Sequence, residues 1–232
     1  MSRILPILFN TDMVQAILDG RKTVTRRMVK YKYNNTEMKM RTDKYGTCLI
    51  EIQKDIEGET HGKNPDGSTW HKLLPYIEKN PLCRKGDILY VRETWTLEEF
   101  YDGEALVKFK AGGEKQLFYE TEGELYHKLC KFADDEWVPS IFMPKALARI
   151  WLKVTDVRVE RLHDMTLDDF LSEGIVLRPE VFNDPENAYQ QARSEFASIW
   201  DSTIRKSQTD LNPWVWVIAF ERCGEPESCA LI

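Results

Sequence analysis

The segment Ile150–Leu162, IWLKVTDVRVERL, places Val154, Val157 and Val159 among charged residues in near alternation. A period of two fits half-buried antiparallel strands, with one face on a core and the other in water. It forms the end of the longest strand-like region of the chain, Trp137–Leu162. A second such run, NPWVWVIAFERC, is mostly apolar from Trp214 to Phe220 and reads as a closing strand. ILPILF, Ile4–Phe9, reads as a buried strand in which Pro6 marks an edge or a bulge. Few helices separate these strands and no βαβ rhythm appears. The pattern therefore predicts an α+β chain built on a small mixed β-barrel with helices at its ends.

The helices carry their own punctuation. Thr11 or Asp12 is placed to cap a helix with Met13, Val14, Ile17 and Leu18 on one stripe, and Gly20 closes it. In MTLDDFLSEGI, Thr166 caps, Leu167, Phe170 and Leu171 make the stripe, and Gly174 ends the helix. A longer helix is expected from Asn187 to Arg205, with Tyr189, Ala192, Phe196, Ile199 and Trp200 at helical spacing. Residues 30–80 are polar and weakly periodic, with turn chemistry in NPDGSTW, Asn64–Trp70. They read as an insertion with little core of its own. GDILYVRETW begins with a turn at Gly86-Asp87 and enters a strand. Residues 96–136 form a second insertion, expected to hold a hairpin (VKFK, QLFYE) and a short helix. The 232 residues thus form one domain carrying two insertions.

Composition narrows the function. The net charge of −6 argues against coating nucleic acid non-specifically. The charge is uneven, however: residues 21–44 carry nine Lys/Arg against two acids, a local +7 that leaves −13 elsewhere. Such asymmetry marks either a local anion-binding face or a solvated basic loop. The five cysteines show no CxxC pairing, which fits free thiols in a reducing cytoplasm and neither a zinc site nor a disulfide framework. No run of about 18 apolar residues indicates a membrane span. Phosphate loops, dinucleotide fingerprints and metalloprotease motifs are missing, and His61, His71, His127 and His163 lack ligand spacing. No metal and no cofactor is expected.

Four blocks fall in order: GRKTVTRR (Gly20–Arg27) after the first helix, GDILYVRE after the first insertion, MTLDDFLSEGI after the long strand, and WVWVIAFERC at the end. This order resembles the ASCH superfamily, whose fold is a PUA-like β-barrel. The long form, with WVPSIFMP and NPWVWVIAF, looks like proteins of bacteriophages and prophages. One branch, the N4-acetylcytidine amidohydrolases, is similar at GRKT and the second following threonine. The resemblance implies a catalytic set of Lys22, Thr25 and Glu173 acting on an N4-acylated cytidine or a related modified nucleoside. It equally admits a PUA-like reader that binds RNA or modified nucleic acid without turnover. A ribonuclease has precedent in the superfamily as well, although no histidine falls in the matching blocks.

Those residue types make chemical sense for opening an exocyclic amide without metal. A lysine desolvated in a barrel mouth has its pKa lowered and acts as a base. A neighbouring threonine hydroxyl attacks or positions water. A carboxylate delivers a proton to the leaving amine. The bland alternatives are a Lys22–Glu173 ion pair and a Thr25 chosen for its strand propensity. Arg21, Arg26 and Arg27 suit phosphate, and Tyr31 interleaved with Lys30 and Lys32 offers rings for bases. Arg92 and Glu93 are placed at the barrel mouth, or alternatively pair with each other, and Arg149 is a rim cation. Trp95, Trp214 and Trp216 either stack a base or pack in the core.

Overall fold

In the computed structural model of the chain, the residues described are 2–30, 36–43, 46–53, 61–63, 69–71, 77–78, 81–101, 104–119, 124–133, 135–203 and 212–226. The strands are β1 (Ile4–Leu8), β2 (Val24–Met28), β3 (Thr36–Asp43), β4 (Gly46–Gln53), β5 (His61–Lys63), β6 (Thr69–His71), β7 (Ile77–Glu78), β8 (Ile88–Arg92), β9 (Trp95–Tyr101), β10 (Glu104–Phe109), β11 (Lys115–Tyr119), β12 (Trp151–Arg161) and β13 (Trp214–Cys223). The helices are α1 (Thr11–Leu18), α2 (Glu124–Cys130), α3 (Leu167–Ser172) and α4 (Pro185–Thr203).

The central sheet has five strands in the order β1-β8-β12-β13-β2. The β1–β8 pair is parallel and the other pairs are antiparallel. The class is α+β, as the alternating pattern predicted. No ladder closes the sheet into a barrel among the described strands, so β1 and β2 are its two edges. Pro6 sits on edge strand β1, where a residue without an N–H costs no ladder bond on the outer side. β12 and β13 run together over ten residue pairs, with a bulge between Val154 and Asp156 that re-aims the later half of β12.

One face of the sheet buries Ile7, Leu89, Val91, Leu152, Val154, Ile218 and Phe220 together with Val14 and Ile17 of α1. The other face packs Val215 and Val217 against α3 and α4 through Phe170, Ala192, Phe196 and Trp200. Thr166 caps α3, as read from the sequence, and Asp169 completes a capping box with it. On α1 the cap is one residue earlier than expected: the Asn10 side chain accepts from the Met13 N–H. A short polar side chain in extended backbone does this as well as threonine or aspartate.

The second insertion holds the expected hairpin, β10 with β11, and β9 adds a third strand to it. Trp95 is fully buried in its core, so this ring stacks no ligand. The first insertion contributes more than expected: Met38 of β3 and Leu49 of β4 are buried with Val29 against Trp214 and Trp216 of the closing strand. NPDGSTW lies mostly outside the described residues. Trp137–Arg149 also departs from the strand reading. Two single turns of 3-10 helix occupy Ser140–Phe142 and Lys145–Leu147, each preceded by a proline. Pro139 and Pro144 cannot donate to a ladder, which removes this stretch from the sheet.

The Gly86-Asp87 turn is built as the sequence implied. Gly86 takes a φ of +89°, open to glycine and rarely to other residues. Asp87 accepts from the Arg3 backbone and guanidinium and from the Arg84 N–H. These bonds hold its carboxyl at about 2, against an opposing contribution from burial. A depressed carboxylate pKa stabilises the fold fully above the unfolded value near 4, and the contribution is lost as pH falls toward 2. The urea stability of Asp87→Asn is therefore expected to trail the parent at pH 5 and to converge on it at pH 2. A constant gap across that window would contradict the assignment.

Candidate functional site

The site begins with how two helix ends are closed. α1 ends at Asp19, and the backbone N–H groups of Arg21 and Lys22 both donate to the Ala16 carbonyl. The chain then passes along the C-terminal end of α3. The Thr23 N–H donates to the Ser172 carbonyl at 2.9 Å. Lys22 Nζ donates to the Glu173 carbonyl at 2.9 Å, and an Arg21 guanidinium N–H donates to the Gly174 carbonyl at 2.7 Å. A helix leaves its last carbonyls unpaired, with a partial negative charge there. The GRKT segment supplies both hydrogen bonds and positive charge to that end.

The closeness is set by Gly174. Its φ is +99°, and a Cβ there would meet Ala16 Cβ at 2.8 Å and Lys22 Cβ at 3.3 Å. The lack of a side chain lets α3 touch α1 and the start of β2 directly.

This approach brings Glu173 onto Lys22. Glu173 Oε2 lies 2.5 Å from Lys22 Nζ, with the two side chains 4% and 0% exposed. The other oxygen, Oε1, accepts from Arg26 at 3.2 Å. Arg26 also binds Glu160 at 2.7 Å and Asp169 at 2.6 Å, with none of its side chain exposed. Arg158 extends the network outward to Glu160 and Asp169. Burial pushes the Lys22 ammonium below the ordinary lysine range; Glu173 opposes that shift, and the positive charges of Arg27 and Arg26 add to it.

Thr25 and Glu173 line one cavity of about 540 Å3 that follows edge strand β2. Arg26, Arg27 and Lys30 contribute its polar wall, and Phe196, Ile199 and Trp200 of α4 the apolar one. Its size falls within the range of small-molecule sites. Lys22 sits behind Glu173, with Nζ 5.7 Å from the centre of the Phe9 ring. Arg27 crosses toward the opposite sheet edge: it donates to the Leu8 carbonyl at 2.8 Å and lies 5.2 Å from the Phe9 ring centre. An apolar hollow of about 210 Å3, walled by Leu5, Ile7, Leu89 and Ile218, shares Arg27 and Leu82 with the main cavity.

The structure therefore joins Lys22, Glu173 and Arg26 directly, and places Thr25 and Arg27 in the same cavity wall. Arg21 closes the α3 end and pairs with Asp19. Arg26 differs from the phosphate ligand expected: three carboxylates take its donors. Arg92, Glu93 and Arg149 form a separate cluster. Arg92 donates to the Met143 and Ile141 carbonyls. Glu93 is paired with Arg149, not with its neighbour Arg92, through two bonds of 2.9 Å. Arg149 also binds Glu114 and the Ala111 carbonyl and lies over the Phe109 ring. This buried pair ties the 139–149 segment to the sheet and the hairpin, and none of the three residues lines the cavity. Tyr31 lies outside the described residues.

Sequence reasoning passed over Phe196, Ile199, Trp200, Leu82 and Met13 as cavity walls. The α4 residues were legible as a helical stripe, but a stripe that faces a core and one that faces a cavity have the same period. Among the described residues, no helix is long and apolar enough to cross a membrane. In comparisons with family models, curated proteins and solved structures, nothing matches this chain.

Proposed function

We propose that this chain is a metal-independent amidohydrolase acting on N4-acylated cytidine or a related modified nucleoside, in a PUA-like frame. The observation that carries the reading is Glu173: a carboxylate fixed on one oxygen by Lys22 and on the other by Arg26, on the wall of a cavity that Thr25 shares. The order of the GRKT, GD and DFLSEG blocks supports the same assignment. The PUA-like frame is supported by the approach of the sheet edges, where Arg27 of β2 reaches the Leu8 carbonyl of β1.

In this reading the reactive form of the pair is neutral Lys22 beside ionised Glu173. The Thr25 hydroxyl attacks the acyl carbon, and its proton passes to Glu173 and is shared with Lys22. As the C–N4 bond breaks, that proton is delivered to the leaving nitrogen, which departs as cytidine. Water, deprotonated by the same pair, then releases the acyl group from Thr25 as a carboxylic acid. Glu173 rather than Lys22 meets the substrate, because Glu173 lines the cavity and Lys22 lies behind it.

The neutral amine is populated above its pKa, so kcat/KM is expected to rise with pH and to reach its plateau below the ordinary lysine value of about 10.4. Thr25→Val is expected to lower kcat by roughly 100-fold or more with folding intact, as removal of a nucleophile does. Cytidine release followed by chromatography checks both. Unchanged turnover in Thr25→Val would remove the covalent step.

Binding without turnover is the second reading. It is favoured by the cations Arg27 and Lys30 facing aromatic side chains across the cavity, an arrangement that holds bases and phosphates.

A further inference from the structure

Two cations on the cavity wall stand outside its ion-pair network. Lys22, Arg26 and Arg158 share one connected ion-pair network with Glu173, Glu160, Asp169 and Asp156. Arg27 and Lys30 also line the cavity, and neither has a carboxylate partner among the described residues. Arg27 uses one N–H on the Leu8 carbonyl and keeps the rest of its fork. Two positive charges therefore remain beside a ligand space whose other side is Phe196, Ile199 and Trp200.

Their placement is ordered along the strand. At about 3.3 Å per residue, Arg27 stands about 7 Å beyond Thr25 on the same side of β2, and Lys30, two residues past the end of the strand, lines the same cavity. A ligand whose reactive group meets Thr25 and Glu173 thus extends its far end toward Arg27 and Lys30. In a cytidine nucleotide the exocyclic nitrogen and the 5′-phosphate lie at opposite ends. A phosphate monoester carries about −1.5 to −2 charges near neutral pH, which the two cations Arg27 and Lys30 can pair.

We infer that the site is built for a nucleoside 5′-monophosphate, with the phosphate on Arg27 and Lys30 and the base end at Thr25 and Glu173. The inference rests on the amidohydrolase reading for the orientation of the ligand, and on the two cavity-lining cations outside the ion-pair network for the phosphate. Arg27 offers paired donors to phosphate oxygens, and Lys30, exposed at the rim, acts as a point charge. A polynucleotide is a poorer match, because the surrounding protein carries the −13 balance outside residues 21–44.

The test is calorimetric titration of the full chain with cytidine, cytidine 5′-monophosphate and a short single-stranded RNA, beside turnover of N4-acetylcytidine and its 5′-monophosphate. The monophosphate is expected to bind about 10-fold or more tighter than cytidine, the gain of one charge-assisted contact. Lys30→Gln and Arg27→Gln are each expected to bring the ratio of monophosphate affinity to cytidine affinity close to 1. Lys30 is exposed, so its variant keeps the test valid if Arg27→Gln unfolds. Equal affinity for the two ligands, no binding of either, or a gain that survives Lys30→Gln overturns the inference. RNA binding tighter than the monophosphate overturns the mononucleotide class. Hydrolysis of both acetylated substrates at equal kcat/KM overturns the phosphate subsite and leaves the amidohydrolase standing. A Lys30-dependent preference for the monophosphate without turnover of either keeps the subsite and overturns the hydrolase.

Discussion

Replacing Glu173 with alanine is expected to lower the unfolding free energy by about 3–5 kcal/mol, the cost of breaking a buried ion pair from one side. Lys22 and Arg26 have fully buried side chains, and Glu173 pairs with both. Without it Lys22 Nζ keeps the carbonyl of residue 173 and the Phe9 ring, and Arg26 keeps Glu160 and Asp169. The expected result is asymmetric. Glu173→Gln preserves shape and accepting oxygen, and is expected to cost clearly less than Glu173→Ala while still removing the proton carrier. Equilibrium urea unfolding of the two variants checks this. Equal and small losses would show that the Lys22–Glu173 contact is not maintained in solution.

The second large effect concerns Gly174. Changing it to alanine is expected to destabilise the chain by about 3 kcal/mol, combining backbone strain at positive φ with overpacking against a rigid neighbour. The obstacle at 2.8 Å is the Cβ of Ala16 on α1, which has no rotamer to escape by, so α3 must move. Movement of α3 carries Glu173 away from Lys22, so turnover is expected to fall together with the melting temperature. Ala16→Gly in the same chain relieves the closest overlap and is expected to restore part of both. A double variant no more stable than Gly174→Ala would locate the cost entirely in the backbone torsion.

How far the sequence revealed this arrangement differs from residue to residue. The cap at Thr166, the closing strand and the Gly86-Asp87 turn were legible because each is a local pattern with a local cause. The meeting of Lys22 with Glu173 spans 151 positions, and no periodicity encodes a contact of that separation, so the sequence left open whether the two side chains face each other. Arg26 looked like a phosphate ligand because a sequence shows a charge but not its partners, and its three acids lie on β12 and α3. Glu93 invited pairing with its neighbour Arg92, yet in a strand adjacent side chains point to opposite faces, and its partner Arg149 comes from 56 residues away. The apolar stretch around Ser140–Leu147 read as strand on composition, and its prolines were the signal against that reading.

The central claim is that Glu173, fixed between Lys22 and Arg26, performs proton transfer on a substrate in the cavity it shares with Thr25. The most direct measurement is cytidine released from N4-acetylcytidine by the parent and by Glu173→Gln, each verified as folded by circular dichroism and assayed at the same pH. The account predicts cytidine from the parent and at least about 100-fold less from the variant, the usual scale of losing a general acid–base group. No cytidine from the folded parent, or equal release by the two proteins, would contradict it.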